Sequence, residues 1–112
     1  MDRITFFQNT IIRLLNENAD YYKGTTNPLN VWVLKDLKGN HFQLLMQGWH
    51  KDQYVFQCLL HLDIINHKIW IQWNDTDLSI EEELVREGVQ PNEIVLGLKH
   101  PSFRKHTDFA IA

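Results

Sequence analysis

The stretch QYVFQCLLHLDIINHKIWIQWN (residues 53–74) decides the fold, because two apolar runs meet there at Asn66-His67. If those two residues form a turn, Ile65 faces Lys68, Ile64 faces Ile69, Leu62 faces Ile71 and Leu60 faces Trp73. Upstream, His50-Lys51-Asp52 reads as a three-residue loop. Trp49 then faces Gln53, Met46 faces Phe56, Leu44 faces Cys58 and Phe42 faces Leu60. Both registers collect the same side chains on one face: Phe42, Leu44, Met46, Phe56, Cys58, Leu60, Leu62, Ile64, Ile69, Ile71 and Trp73. Slipping either hairpin by one residue mixes the faces, so the pattern selects this register. It assigns Trp73 to the core and Trp70 to the opposite face.

Working outward, strands are predicted over residues 30–37, 41–49, 53–65 and 68–74. Their short links, KGN, HKD and NH, favour consecutive antiparallel hairpins. The first strand reads either way: Trp32 and Leu34, or Val31 and Val33, face inward. Before the sheet, Asp2 caps a helix over residues 3–22, whose Ile4, Phe7, Ile11, Leu14 or Leu15, and Tyr21 or Tyr22 form one apolar stripe. Residues 23–28 read as a loop. After the sheet, Ser79 and Glu82 form a capping-box pattern for a helix over residues 80–87, which Gly88 closes, with Val89 against Leu84 and Pro91 barring continuation. Short apolar pieces follow at residues 94–98 and 107–111. The predicted fold is α+β: an antiparallel sheet of four or more strands in a meander, an N-terminal helix packed on one face and a short C-terminal helix.

At 112 residues the chain accommodates one domain, spanning 1–112. Its net charge of −3 does not favour nucleic acid as a partner, since phosphate binding draws most of its affinity from a basic surface. Cys58 is the only cysteine, which rules out an intramolecular disulfide and suits a reducing compartment. No apolar run approaches the ~20 residues of a membrane span, so no membrane partner and a cytoplasmic location are expected.

The sequence contains no catalytic constellation. Phosphate-cradling glycine loops, HExxH and GxSxG are absent. His61 and Asp63 share a strand face as two metal ligands could, but a zinc site takes three or four protein ligands and no second cluster has the spacing. They read as a polar pair facing solvent or an interface. Cys58 lies on the apolar face without a neighbouring cation, so it reads as a small hydrophobe. We therefore expect no catalytic residue, no metal and no cofactor. In the tail KHPSFRKH, Lys99, Arg104 and Lys105 surround Phe103 and could contact phosphates, though so few cations read more readily as a solvated loop or as salt-bridge partners. The second sheet face mixes amides with large amphipathic side chains, a composition typical of protein interfaces; the alternative is that the tail or a further helix of the same chain covers it. Trp49, His61, Asp63, Trp70 and Gln72 are its candidate partner-binding residues.

Several motifs in fixed order, HFQLLMQGW, HLDI, KIWIQ, IEEELVREGV, IVLGLKHP and the closing RKHTDFAIA, resemble the XisI family, found mainly in cyanobacteria. The resemblance covers residues 31–112 well and the first helix more loosely. Asn66-His67 and Trp73 depart from the family's pattern. The family is named for controlling excision of the fdxN element, a programmed DNA rearrangement in which a separate recombinase exchanges the strands. The resemblance implies a non-catalytic accessory role and a XisH-like partner of restriction-endonuclease-like fold. Self-association is also expected. The alternatives are a DNA-binding recombination cofactor and an antitoxin-like neutraliser of a nuclease-fold partner.

Overall fold

The computed structural model describes residues 2–25 and 29–112. Helix α1 (Arg3–Thr25) is followed by strands β1 (Asn30–Asp36), β2 (His41–His50), β3 (Gln53–Ile65) and β4 (Lys68–Asn74). Helix α2 (Ile80–Arg86), a 3-10 turn (Pro91–Glu93), strand β5 (Ile94–Val95) and helix α3 (Pro101–Arg104) complete the chain. The sheet order follows the sequence, β1-β2-β3-β4-β5. The first four strands pair antiparallel, as the short links predict, and β5 joins β4 in parallel. The architecture is α+β.

α1 starts where Asp2 caps it: the Thr5 amide donates to Asp2 Oδ1 at 2.8 Å. Phe7, Ile11 and Leu15 bury its stripe completely against Phe42, Leu44, Leu60 and Leu62 of the sheet. Thr10 and Asn18 can share that buried stripe because their side chains donate to the Phe6 and Leu14 carbonyls one turn back. The helix continues past its predicted end to Thr25, into the expected loop, and residues 26–28 lie outside the described residues. α2 ends as predicted. Gly88 takes φ 106°, its amide donates to the Val85 carbonyl and the Val89 amide to the Leu84 carbonyl, both at 3.0 Å. This is a Schellman closure, a left-handed turn best suited to glycine. The capping box does not form, because the Ser79 hydroxyl turns to Glu81 instead of the backbone.

The registers correct the predicted core. Between β3 and β4 the pairs Ile65–Lys68, Ile64–Ile69 and Leu62–Ile71 occur as expected. Asn66 and His67 take φ 51° and 61°, the left-handed pair that a tight two-residue hairpin requires. Beyond Leu62, Gln72 is an extra residue in β4, so Trp73 faces His61 and Leu60 faces Asn74. The β2–β3 turn holds two residues rather than three: His50 faces Gln53, and Trp49 faces Tyr54. A second bulge leaves Leu59 extra in β3, so Leu45 faces Cys58 while Leu44 faces Leu60.

These bulges remove Phe56, Cys58 and Trp73 from the helix-covered face, where the alternation had put them. Phe56 is 70% exposed and Trp73 51%. Leu59, predicted for the opposite face, is buried in the core instead. Val55 and Gln57 also change sides, facing Gly48 and Met46 on the inner face. In β1 the ambiguity resolves: Val31 is buried and Val33 packs against the core, so Trp32 and Leu34 point outward.

Two ion pairs clamp α1 to the segment between β4 and β5, Arg3 with Glu93 and Arg13 with Glu87. Arg3 also donates to the Gly88 carbonyl and lies over the Phe6 and Phe7 rings. Its hydrogen bonds hold the Glu93 carboxyl below the usual glutamate range. A lowered carboxyl pKa stabilises the fold above the unfolded-state value and loses that contribution as the pH falls through the folded one. We expect Glu93→Gln to destabilise modestly at neutral pH and the difference from the wild type to vanish in acid. Urea unfolding across that pH range would test this, and a gap that persists in acid would contradict it.

Candidate functional site: the outer face of the sheet

The face turned away from α1 carries two distinct regions. The first is aromatic and lies across β1, β2, the first half of β3 and the end of β4. Trp32, Trp49, Tyr54, Phe56 and Trp73 are all at least half exposed there. They are held in place: Trp49 meets Tyr54 edge-on at 5.2 Å. The Gln47 amide accepts from Trp32 Nε1 at 3.2 Å and donates to the Tyr54 hydroxyl at 2.6 Å. Trp73 Nε1 donates to the Cys58 carbonyl at 3.1 Å. Of the predicted partner-binding residues, only Trp49 belongs to this region. Trp32, Tyr54, Phe56 and Trp73 escaped the sequence reading because two bulges and an ambiguous first strand hid which way they point.

The second region is polar and centres on Asp63, which is 8% exposed. His41 Nδ1 and His61 Nε2 each lie 2.8 Å from Asp63 Oδ1. Gln72 Nε2 donates to Asp63 Oδ2 at 3.2 Å, and the Gln43 amide lies 2.8 Å from His61 Nδ1. Burial pushes the Asp63 carboxyl up, but hydrogen bonds from His41, His61 and Gln72 outweigh it and hold the group below the ordinary aspartate range. The same bond to Asp63 raises the His41 imidazole. The structure thus brings His61, Asp63 and Gln72 together as the sequence expected, and adds His41 and Gln43 from β2. His41 comes directly opposite Asp63 only because the Leu59 bulge shifts the ladder.

Trp70 sits on this face opposite Asp63 but is covered by the C-terminal segment. A Cβ on Gly97 would approach Trp70 Cε3 to 3.1 Å and would also collide with the Gln72 side chain. Glycine is therefore what lets the backbone pass there. The Arg104 guanidinium stacks over the Trp70 ring at 5.1 Å. It also donates to the carbonyls of Leu96, Gly97, Lys99 and Ile111. Of the three candidate phosphate contacts, Lys99 and Lys105 are exposed while Arg104 is engaged by its own chain. The Trp70 Nε1 hydrogen is buried without a partner.

Burial raises the Cys58 thiol, whose Sγ lies 3.3 Å from the Leu60 carbonyl, so it is protonated at neutral pH and a poor nucleophile. A separate cleft of about 380 Å³ between α1 and the segment before α2 has Glu17, Asp77 and Glu83 among its lining residues, and it gathers none of the predicted site residues. Among the described residues, no helix is long and apolar enough to cross a membrane.

These features define a small α+β domain with one sheet face closed by a long helix and the other open, aromatic and bordered by a His–Asp–His cluster. A family model described as XisI protein matches residues 1–111, and the chain belongs to the XisI family. It is similar to a XisI-like protein from Anabaena variabilis ATCC 29413, at 34% identity and a TM-score of 0.91, covering 97% of this chain and 99% of that one. It is also similar to the fdxN element excision controlling factor XisI of the same organism, at 32% identity and a TM-score of 0.84, covering 99% and 100%. A search of curated proteins finds no match.

Proposed function

We propose that this chain is a non-catalytic accessory factor that works by protein–protein contact, binding a XisH-like partner through the aromatic region of its outer sheet face. One observation carries the reading: five large aromatic side chains, Trp32, Trp49, Tyr54, Phe56 and Trp73, stand at least half exposed on one open face. Fully buried aromatics each cover roughly 150–250 Å². Half exposed, five of them offer about 500 Å², much of the roughly 800 Å² per partner in a standard interface. Gln47 and the edge-on ring contact hold several of them in place before any partner arrives, which lowers the ordering cost of association.

The test is affinity for a co-expressed XisH-like protein. Trp49→Ala with Phe56→Ala is expected to weaken the complex by at least about 30-fold, the effect of losing one interface hot spot. Both side chains are largely exposed, so the variant should fold as the wild type does. Unaltered affinity in the folded variant would remove this surface from consideration, and a wild-type chain that binds no such partner would remove the reading itself.

A further inference from the structure

Three side chains able to ligate a metal converge on the polar half of the outer face. The donor atoms of His41, His61 and Asp63 all lie within 4.8 Å of one another, and no other group of this kind occurs among the described residues. We propose that His41, His61 and Asp63 form a binding site for a divalent transition-metal cation of the zinc type, with a further coordination position open to solvent.

The donor set selects the class of ion. Two imidazole nitrogens with one carboxylate suit zinc and its first-row neighbours, whereas calcium and magnesium take oxygen ligands. The placement is set by backbone pairing: His41 of β2 lies directly opposite Asp63 of β3, and His61 is two residues along the same strand on the same face. Strand positions hold ligands more accurately than loops do.

Binding an ion requires the three donor atoms to settle around a common centre. Both imidazoles now contact one oxygen, Asp63 Oδ1, at 2.8 Å. Tetrahedral ligands about 2.0–2.1 Å from zinc stand about 3.3 Å apart, so these two contacts open by about half an ångström while donor atoms now up to 4.8 Å apart draw together. The His41 ring has room to turn, since its side chain is 57% exposed. A cavity of about 270 Å³ beside His41 and His61, lined also by Leu34, Lys35, Asp36 and Gln43, leaves space for a water or an incoming ligand.

Supporting partners are already in place. With a metal on His61 Nε2, the proton moves to Nδ1; the Gln43 amide, whose Nε2 now lies 2.8 Å from Nδ1, would turn over to accept it through its oxygen. Gln72 holds the second carboxylate oxygen at 3.2 Å and so fixes which oxygen of Asp63 faces the histidines. Outer contacts of this kind orient metal ligands and set the tautomer. The proposal rests on this geometry and is independent of the partner reading.

The experiment uses the full chain, stripped with a chelator and titrated with Zn²⁺ by calorimetry and with Co²⁺ by visible absorption. One ion per chain is expected, with the intense bands of low-coordinate cobalt. His41→Ala and His61→Ala should each weaken binding by about 100-fold or more. Gln43→Ala should weaken it by about ten- to a hundredfold, the usual range for an outer contact. His106→Ala should change nothing, and zinc should raise the melting temperature of the wild type but not of His41→Ala. Circular dichroism checks that each variant folds. His41 and Gln43 are both accessible enough to be replaced safely if His61→Ala fails to fold. No stoichiometric uptake by the wild type, or uptake that survives His41→Ala or a folded His61→Ala, overturns the proposal.

Discussion

Alanine in place of Phe42 is expected to lower the free energy of unfolding by about 3–5 kcal/mol, while alanine in place of Phe56 changes it by less than about 0.5 kcal/mol. Both phenylalanines belong to apolar runs that alternation places on one face, yet the structure gives them opposite fates. Phe42 is completely buried among the residues that α1 covers, so its truncation leaves a cavity in the centre of the core. Phe56 faces Gln47 on the open side and is mostly exposed. Urea unfolding of the two variants measures the contrast directly. A large loss at Phe56 would mean that the Leu59 bulge is misplaced and the register runs through unbroken.

The second large effect is expected at Arg104. Its alanine variant should lose about 2–3 kcal/mol, because hydrogen bonds from a charged donor are the stronger kind and four backbone carbonyls would lose theirs together. Lysine should recover only a minor part. A compact ammonium cannot reproduce the planar fork that serves Gly97, Leu96 and Lys99 at once while stacking on Trp70. Tryptophan emission offers an independent readout: loosening the tail should hydrate Trp70 and shift the emission to the red. Wild-type stability in Arg104→Ala would show that the C-terminal segment is held by its apolar contacts alone.

Much of this molecule is legible in the sequence. The helical stripe from Phe7 to Leu15, the turn at Asn66-His67, the inward set Phe42, Leu44, Leu60, Leu62, Ile64, Ile69 and Ile71, and the Gly88 closure all follow from local pattern. Each depends on neighbours within one turn or one hairpin, where the periods of helix and strand are short and strict. The pairing of His61, Asp63 and Gln72 was legible for the same reason.

The orientation of the remaining site residues was not. An extra residue in one strand leaves no mark on composition and little on alternation, yet it reverses every side chain beyond it. Leu59 and Gln72 do this in β3 and β4, moving Phe56, Cys58 and Trp73 from the core to the open face. The sequence by itself determined α1, the four antiparallel strands, α2, their order and the family, but not β5 or α3. Only the tertiary structure decided that Trp32 and Trp73 join Trp49 on the open face, that Arg104 lies on Trp70, and that His41 stands beside Asp63. Those outcomes depend on how strands far apart in sequence settle into one ladder, where packing of the whole core chooses the position of each bulge.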